Sequence, residues 1–184
     1  VRNNVARCRP DGSGWDIIDY CDTGRGEICD GGRCGNGCEL AERYASNVGC
    51  EYYAVDLDNA VVSSGAAAAQ QFAVVVSNPS PIEAQVTVER CLAQPCEEEE
   101  NRERILFGGE DVLLINPDDL ETLRLDPAEV DGSPPGLFDQ GTHTWLGPAA
   151  YRITSTAPII VYQFNPYDKR VQVFSNDASL LIPT

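Results

Sequence analysis

Glu83-Ala84-Gln85-Val86-Thr87-Val88-Glu89-Arg90 alternates without a break. In an extended chain Ala84, Val86 and Val88 fall on one side, and Glu83, Gln85, Thr87 and Glu89 on the other, the pattern of a half-buried β-strand. Just upstream, residues 71–78 form an apolar run that stops at Asn78-Pro79-Ser80-Pro81, a turn signal with two prolines. The two runs are expected to be antiparallel neighbours. Further short strands are expected at 51–57, with Tyr53, Val55 and Leu57 on one face, and at 104–107, 112–115 and 120–125. Four more follow at 150–155, 159–164, 171–174 and 179–182. Residues 61–70 read as a loop of small side chains, and 126–141, rich in Pro, Gly and Asp, as a long exposed loop. Many short strands between turn residues, with little helix, imply a mainly β fold, an antiparallel β-sandwich of Ig-like type over residues 50–184.

Residues 1–49 have different physics. Six of the eight cysteines (Cys8, Cys21, Cys29, Cys34, Cys38 and Cys50) lie in the first 50 residues, between glycine-rich spacers such as Gly35-Asn36-Gly37. The large apolar residues there are few: Trp15, Ile17, Ile18, Tyr20, Ile28 and Leu40. Such a core cannot offset chain entropy unaided, so a small disulfide-rich N-terminal module is expected. Six thiols allow fifteen pairings, and spacing does not choose among them. Zinc is the weaker reading, because no CxxC pair and no nearby histidine accompany Cys29, Cys34 and Cys38. Residues 39–45 suggest a short helical turn. Cys91 and Cys96, five residues apart, suggest a disulfide that closes a local loop.

Charge narrows the function. The 184 residues carry 29 acidic and 13 basic side chains, a formal charge of −16. The first 50 residues hold 8 acids and 6 bases, whereas residues 97–139 hold 14 acids and 3 bases. A chain this acidic repels phosphate backbones and shows no basic patch, so nucleic acid is not an expected partner. No apolar run reaches the length of a membrane span. Methionine is absent, and the sequence starts at Val1. With the cysteine usage, this reads as a processed piece of a longer secreted protein.

Four strings carry a family resemblance: Val48-Gly49-Cys50-Glu51-Tyr52-Tyr53-Ala54-Val55-Asp56-Leu57-Asp58-Asn59; Phe72-Ala73-Val74-Val75-Val76-Ser77-Asn78-Pro79; Tyr151-Arg152-Ile153-Thr154-Ser155 leading into Tyr162-Gln163-Phe164-Asn165-Pro166; and Ser175-Asn176-Asp177-Ala178-Ser179-Leu180-Leu181. Together they resemble the IgGFc-binding-protein N-terminal domain found in secreted proteins of myxobacteria and related deltaproteobacteria, where it often follows a Cys-rich segment. The resemblance covers about 135 residues. It implies a part of a longer chain and brings no catalytic residues with it.

Chemistry-bearing motifs are sparse. His143 is the single histidine, so any Ser–His or Cys–His catalysis must use it, and a surface role is the simpler reading. No GxSxG, HExxH or P-loop string occurs, and no enzymatic activity is expected. Asp56, Asp58 and Asn59 offer oxygens at calcium-like spacing, with Asp118, Asp119, Asp126 and Asp131 as further carboxylates, but the EF-hand pattern is absent and a turn explains them as well. Asn165-Pro166 and Ser175-Asn176-Asp177 are expected at strand ends. Lys169 is the single lysine, which disfavours a Lys–Asn cross-link. The expected function is an extracellular or cell-surface structural or adhesive module. It acts through contacts with other proteins or with copies of itself, as a homo-oligomer or part of a surface assembly. A calcium- or carbohydrate-dependent binding module is the alternative, and no other cofactor is expected.

Overall fold

A computed structural model describes residues 4–44, 46–57, 59, 61–62, 65–128, 130–134, 137, 140–141, 145–168 and 177–184. The fold is mainly β and antiparallel. The N-terminal module holds the hairpin β1 (Asn4–Cys8) and β2 (Trp15–Tyr20), then a second hairpin of β3 (Glu27–Asp30) and β4 (Arg33–Asn36), and the one-and-a-half-turn helix α1 (Gly37–Glu42). Asn36 caps α1, its side-chain oxygen accepting from the N–H groups of Cys38 at 3.0 Å and Glu39 at 3.2 Å. Two disulfides staple this part. Cys21–Cys34 ties the end of the first hairpin to the second, and Cys38–Cys50 ties α1 to the next strand.

That strand is β5 (Gly49–Ala54), followed by the two-residue strands β6 (Val61–Val62) and β7 (Gly65–Ala66), which pair where a plain loop is expected. Next come β8 (Phe72–Ser77), β9 (Ala84–Cys91), β10 (Arg102–Arg104), β11 (Leu113–Ile115), β12 (Leu120–Leu125), β13 (Tyr151–Asn165) and β14 (Asp177–Leu180). Eight strands join in one curled sheet around β13. The first half of β13 pairs with β5 and β9, and its second half with β8 and β14. The two stretches expected as separate strands at 150–155 and 159–164 are therefore one strand. Its register against β5 shifts between Thr154 and Ile159, where Pro158 interrupts the ladder. The expected strand at 171–174 lies outside the described residues.

The clean alternation of β9 holds: Ala84, Val86 and Val88 are buried. Its expected pairing with β8 does not. Each strand pairs with a different half of β13, so the Asn78-Pro79-Ser80-Pro81 turn carries the chain across the fold instead of closing a hairpin. The buried Asn78 holds this crossing. Its amide nitrogen donates to Ile82 O at 2.8 Å and Ile115 O at 2.9 Å, and its side-chain oxygen accepts from Ser80 N–H at 2.9 Å. All its polar atoms are satisfied, as burial requires.

One core lies inside the curl. Tyr52, Val86, Val88, Ile115 and Ile153 from one half meet Phe72, Val74, Leu123, Ile159 and Val161 from the other, and the rings of Phe72 and Tyr151 stack with centroids 6.1 Å apart. On β5 the core-facing residues are Tyr52 and Ala54, while Leu57, beyond the strand, is half exposed. The Tyr52 hydroxyl sits 2.6 Å from Ile159 O and 2.9 Å from Asn47 O, which explains how a tyrosine can be wholly buried. The module seats on the Pro158 bend: a Cβ on Gly37 would stand 2.8 Å from Pro158 Cδ, so only glycine permits this approach. Within the 126–141 loop Ala128 and Asp131 are buried, while Asp126, Pro134, Leu137 and Gln140 are exposed as expected. Asp131 accepts from Ser133 N–H and Gly141 N–H, folding the loop on itself.

Candidate functional site

Two surfaces of this fold carry unusual chemistry. The first is an ionic ladder on the outer face of β5, β13, β9 and β10. Because Tyr151, Ile153 and Val88 point inward, their strand neighbours Arg152 and Glu89 point outward and oppose each other across the ladder. Arg152 donates to Glu51 at 2.8 Å and to Glu89 at 3.0 Å, while Tyr53 O–H donates to Glu51 at 3.2 Å. Arg102 Nε stands 3.2 Å from Glu89 Oε2, an ion pair without hydrogen-bond alignment. The Cys91–Cys96 disulfide forms as its spacing suggests. Arg102 links it to the ladder, its Nη1 donating to Cys96 O at 3.3 Å and Glu97 O at 3.2 Å. Glu89, expected to point to solvent, does face outward yet keeps only 9% of its side chain exposed. The Arg152 hydrogen bond holds the Glu51 carboxyl below its ordinary value. Every charge here has an opposite charge beside it, so the ladder reads as structural.

The second surface is the β1–β2 hairpin. Asn4 pairs with Tyr20 and Val5 with Asp19, but Ala6 pairs with Ile17, so Ile18 is the extra residue of a bulge. Paired residues share a face in an antiparallel ladder. Simple alternation would place Tyr20 opposite to Trp15 and Ile17; the bulge brings all three together, beside Asn4, Ala6 and Cys8. The other face carries Val5, which is buried, and Arg7, Asp16 and Asp19, which are exposed, so both faces of this hairpin meet water along β2. Trp15 is therefore 68% exposed and Tyr20 71%, with Ile17 and the bulged Ile18 also open to solvent. These residues, expected to form the small module's core, instead make an uncharged apolar face. The sequence signal was present in Trp15-Asp16-Ile17-Ile18-Asp19-Tyr20, but the bulge that assembles it was not visible.

The calcium candidates are not brought together as a set. Asp56 is buried, and its Oδ2 accepts from Ala128 N–H at 2.9 Å. Asn59 donates to the main-chain carbonyl of Asn165 at 3.1 Å, and the Asn165 amide donates to Leu57 O, so these groups hold neighbouring backbone. Asp58, His143, Lys169, Ser175 and Asn176 lie outside the described residues. Among the described residues, Asp118 is the non-glycine residue with a left-handed backbone, φ 62°, in the turn before β12, and Asp119 caps Leu120 N–H. Asp126 supplies its carbonyl to the Tyr151 hydroxyl at 2.7 Å. Among the described residues no three His, Cys, Asp or Glu side chains converge on a metal-sized site.

Of the cysteines left unassigned, Cys21, Cys34, Cys38 and Cys50 are paired as described. Cys8 stands exposed outside the three bonds, and Cys29 faces Cys34 across the β3–β4 ladder. Between α1, β5 and the C-terminal residues lies an open cleft of about 1110 Å3, bordered by Tyr44, Asn47, Glu51 and Thr184. The chain crosses its edge where Thr184 N–H donates to Glu51 O at 3.0 Å. No helix among the described residues is long and apolar enough to cross a membrane.

The architecture defines a disulfide-stapled, mainly antiparallel β protein. No family model matches the chain, and no curated protein matches it. Among solved structures, the crystal structure of Thermotoga maritima 1070 aligns with 73% of this chain and 94% of its own, at 9% identity and a TM-score of 0.38.

Proposed function

We propose that this chain is a non-enzymatic extracellular structural or adhesive module that works through protein–protein contacts. The exposed face of Trp15, Ile17 and Tyr20 carries this reading. Water-exposed aromatic side chains gathered on one face mark contact surfaces, because covering them removes a large apolar area from water. Three disulfides suit a life in an oxidising compartment. The resemblance of residues 48–181 to the IgGFc-binding-protein N-terminal domain supports the extracellular part of this reading, since that domain is found in secreted proteins.

Beads coated with the chain test this directly. They should adhere to protein-coated surfaces, or to one another, more strongly than albumin-coated beads do. Replacing Trp15 and Tyr20 together with serine should remove the excess. Adhesion no better than albumin on every surface, including the chain itself, would refute the reading.

A further inference from the structure

Resting on that contact function, we infer that the Trp15–Ile17–Tyr20 face of the β1–β2 hairpin is a self-association surface: two copies of this chain pack it face to face across a two-fold axis. Three observations choose a second copy as the occupant. First, the face is uncharged. Its residues are Asn4, Ala6, Cys8, Trp15, Ile17 and Tyr20, while Arg7, Asp16 and Asp19 lie on the reverse side. In a two-fold contact each group meets the same kinds of group, so a neutral apolar face is self-complementary where a charged one repels itself.

Second, charge leaves this as the approachable side. Residues 51–184 hold 21 acids against 7 bases, whereas residues 4–20 hold 3 against 2. Two copies meeting through their acidic halves would face strong mutual repulsion. Meeting through the hairpins keeps those halves apart. Third, a two-stranded ribbon is short of a stable sheet, and a second ribbon laid across its uncharged face completes a two-layer contact.

The area bounds the class of contact. Trp15 and Tyr20, with Ile17 and Ile18 at their side, can remove roughly 400 Å2 per copy, or about 800 Å2 in the pair. Stable, specific complexes begin at about 1,200 Å2, and weak transient ones lie below that. The dimer is therefore a reversible, transient one. It suits a surface assembly in which many copies are held close together, where effective concentration makes up for weak contacts.

Sedimentation of the intact oxidised chain over a wide concentration range tests this. The weight-average mass should climb from the monomer towards the dimer, and raising the salt should strengthen association by screening two chains of charge −16. Trp15→Ser with Tyr20→Ser should weaken association at least about tenfold. Ile17→Lys, which opposes like charges across the axis, should do the same, with far-UV circular dichroism unchanged in both variants. A wild-type chain that stays monomeric throughout overturns the inference, and so does equal association by both variants. Monomeric wild type whose beads still adhere to other proteins refutes the self-association alone. Monomeric wild type with no adhesion refutes the contact function too.

Discussion

Replacing Glu89 with leucine tests the ionic ladder in its most buried part. Glu89 keeps 9% of its side chain exposed and faces Arg152 at 3.0 Å, Arg102 at 3.2 Å and Arg104 at 3.9 Å. Removing one member of a buried ion pair costs about 3–5 kcal/mol, because the partner is left charged and poorly solvated. Two features place this case at the lower end. Arg152 keeps Glu51, and Arg102 keeps the carbonyls of Cys96 and Glu97. The expected loss is therefore about 3 kcal/mol, a large part of the 5–15 kcal/mol that holds a typical domain together.

Urea unfolding followed by far-UV circular dichroism, with disulfides intact, reads this as a fall in midpoint of about 1.5 M for a slope near 2 kcal/mol/M. Arg152→Leu alone should also destabilise, and combining it with Glu89→Leu should cost less than the sum, with a coupling of about 1–3 kcal/mol. The exposed Arg104–Asp111 pair, 2.7 Å long with both side chains about half exposed, is the internal control. Asp111→Ala should stay within about 0.5 kcal/mol of wild type. If Glu89→Leu also stays within that margin, the ladder is not a buried network and the assignment of its role is wrong.

Separating the Cys38–Cys50 staple with a double serine substitution should cost about 2–4 kcal/mol in the same assay and loosen α1 from β5, seen as faster hydrogen exchange in α1. Burial raises the pKa of Tyr52 and lifts that of Tyr151 to about 12. A raised folded value means their contribution is complete below the unfolded value near 10 and lost as the pH climbs through the folded one. Alkaline titration should thus show these two phenolates forming only as the chain unfolds, and separate titration ahead of unfolding would contradict the burial. Glu51 behaves in the opposite sense: its lowered pKa gives stability present above the unfolded carboxylate range and lost in acid, and Glu51→Gln should flatten that acid limb. Melting temperature should be the same in calcium and in chelator, since Asp56 and Asn59 already bind the backbone; a rise in calcium would restore the cation site.

The strands that bury one face were legible because alternation is a local property. Ala84, Val86 and Val88 reveal their side without any knowledge of a partner. Pairing is different. The strand that β8 and β9 share as a partner is β13, more than sixty residues downstream, and nothing within residues 71–90 encodes that distance. Two adjacent strands with a turn between them read as a hairpin by default, and here Asn78 and two prolines hold a crossing instead. The same limit explains Glu89. A carboxylate at an outward position reads as solvated until Arg152, 63 residues away, arrives opposite it. The Cys91–Cys96 bond was legible, and Arg102 ties its Cys96 carbonyl to the same ladder.

The bulge at Ile18 has the widest consequence of these local departures. One inserted residue shifts every later side chain to the opposite face. Without it, Trp15 and Ile17 would share one side with Asp19, and Tyr20 would stand with Asp16 on the other, giving two mixed faces of no particular use for contact. With it, the acids and Arg7 collect on one side beside Val5, and the three large apolar groups collect, uncharged and exposed, on the other. A purely structural role for the hairpin would favour the reverse arrangement, with its largest apolar groups turned inward against β3 and β4. Deleting Ile18 from the chain separates the two accounts. A stapling hairpin should lose stability and leave association unchanged, whereas a contact hairpin should lose association by about tenfold while the Cys21–Cys34 and Cys38–Cys50 bonds hold the module folded.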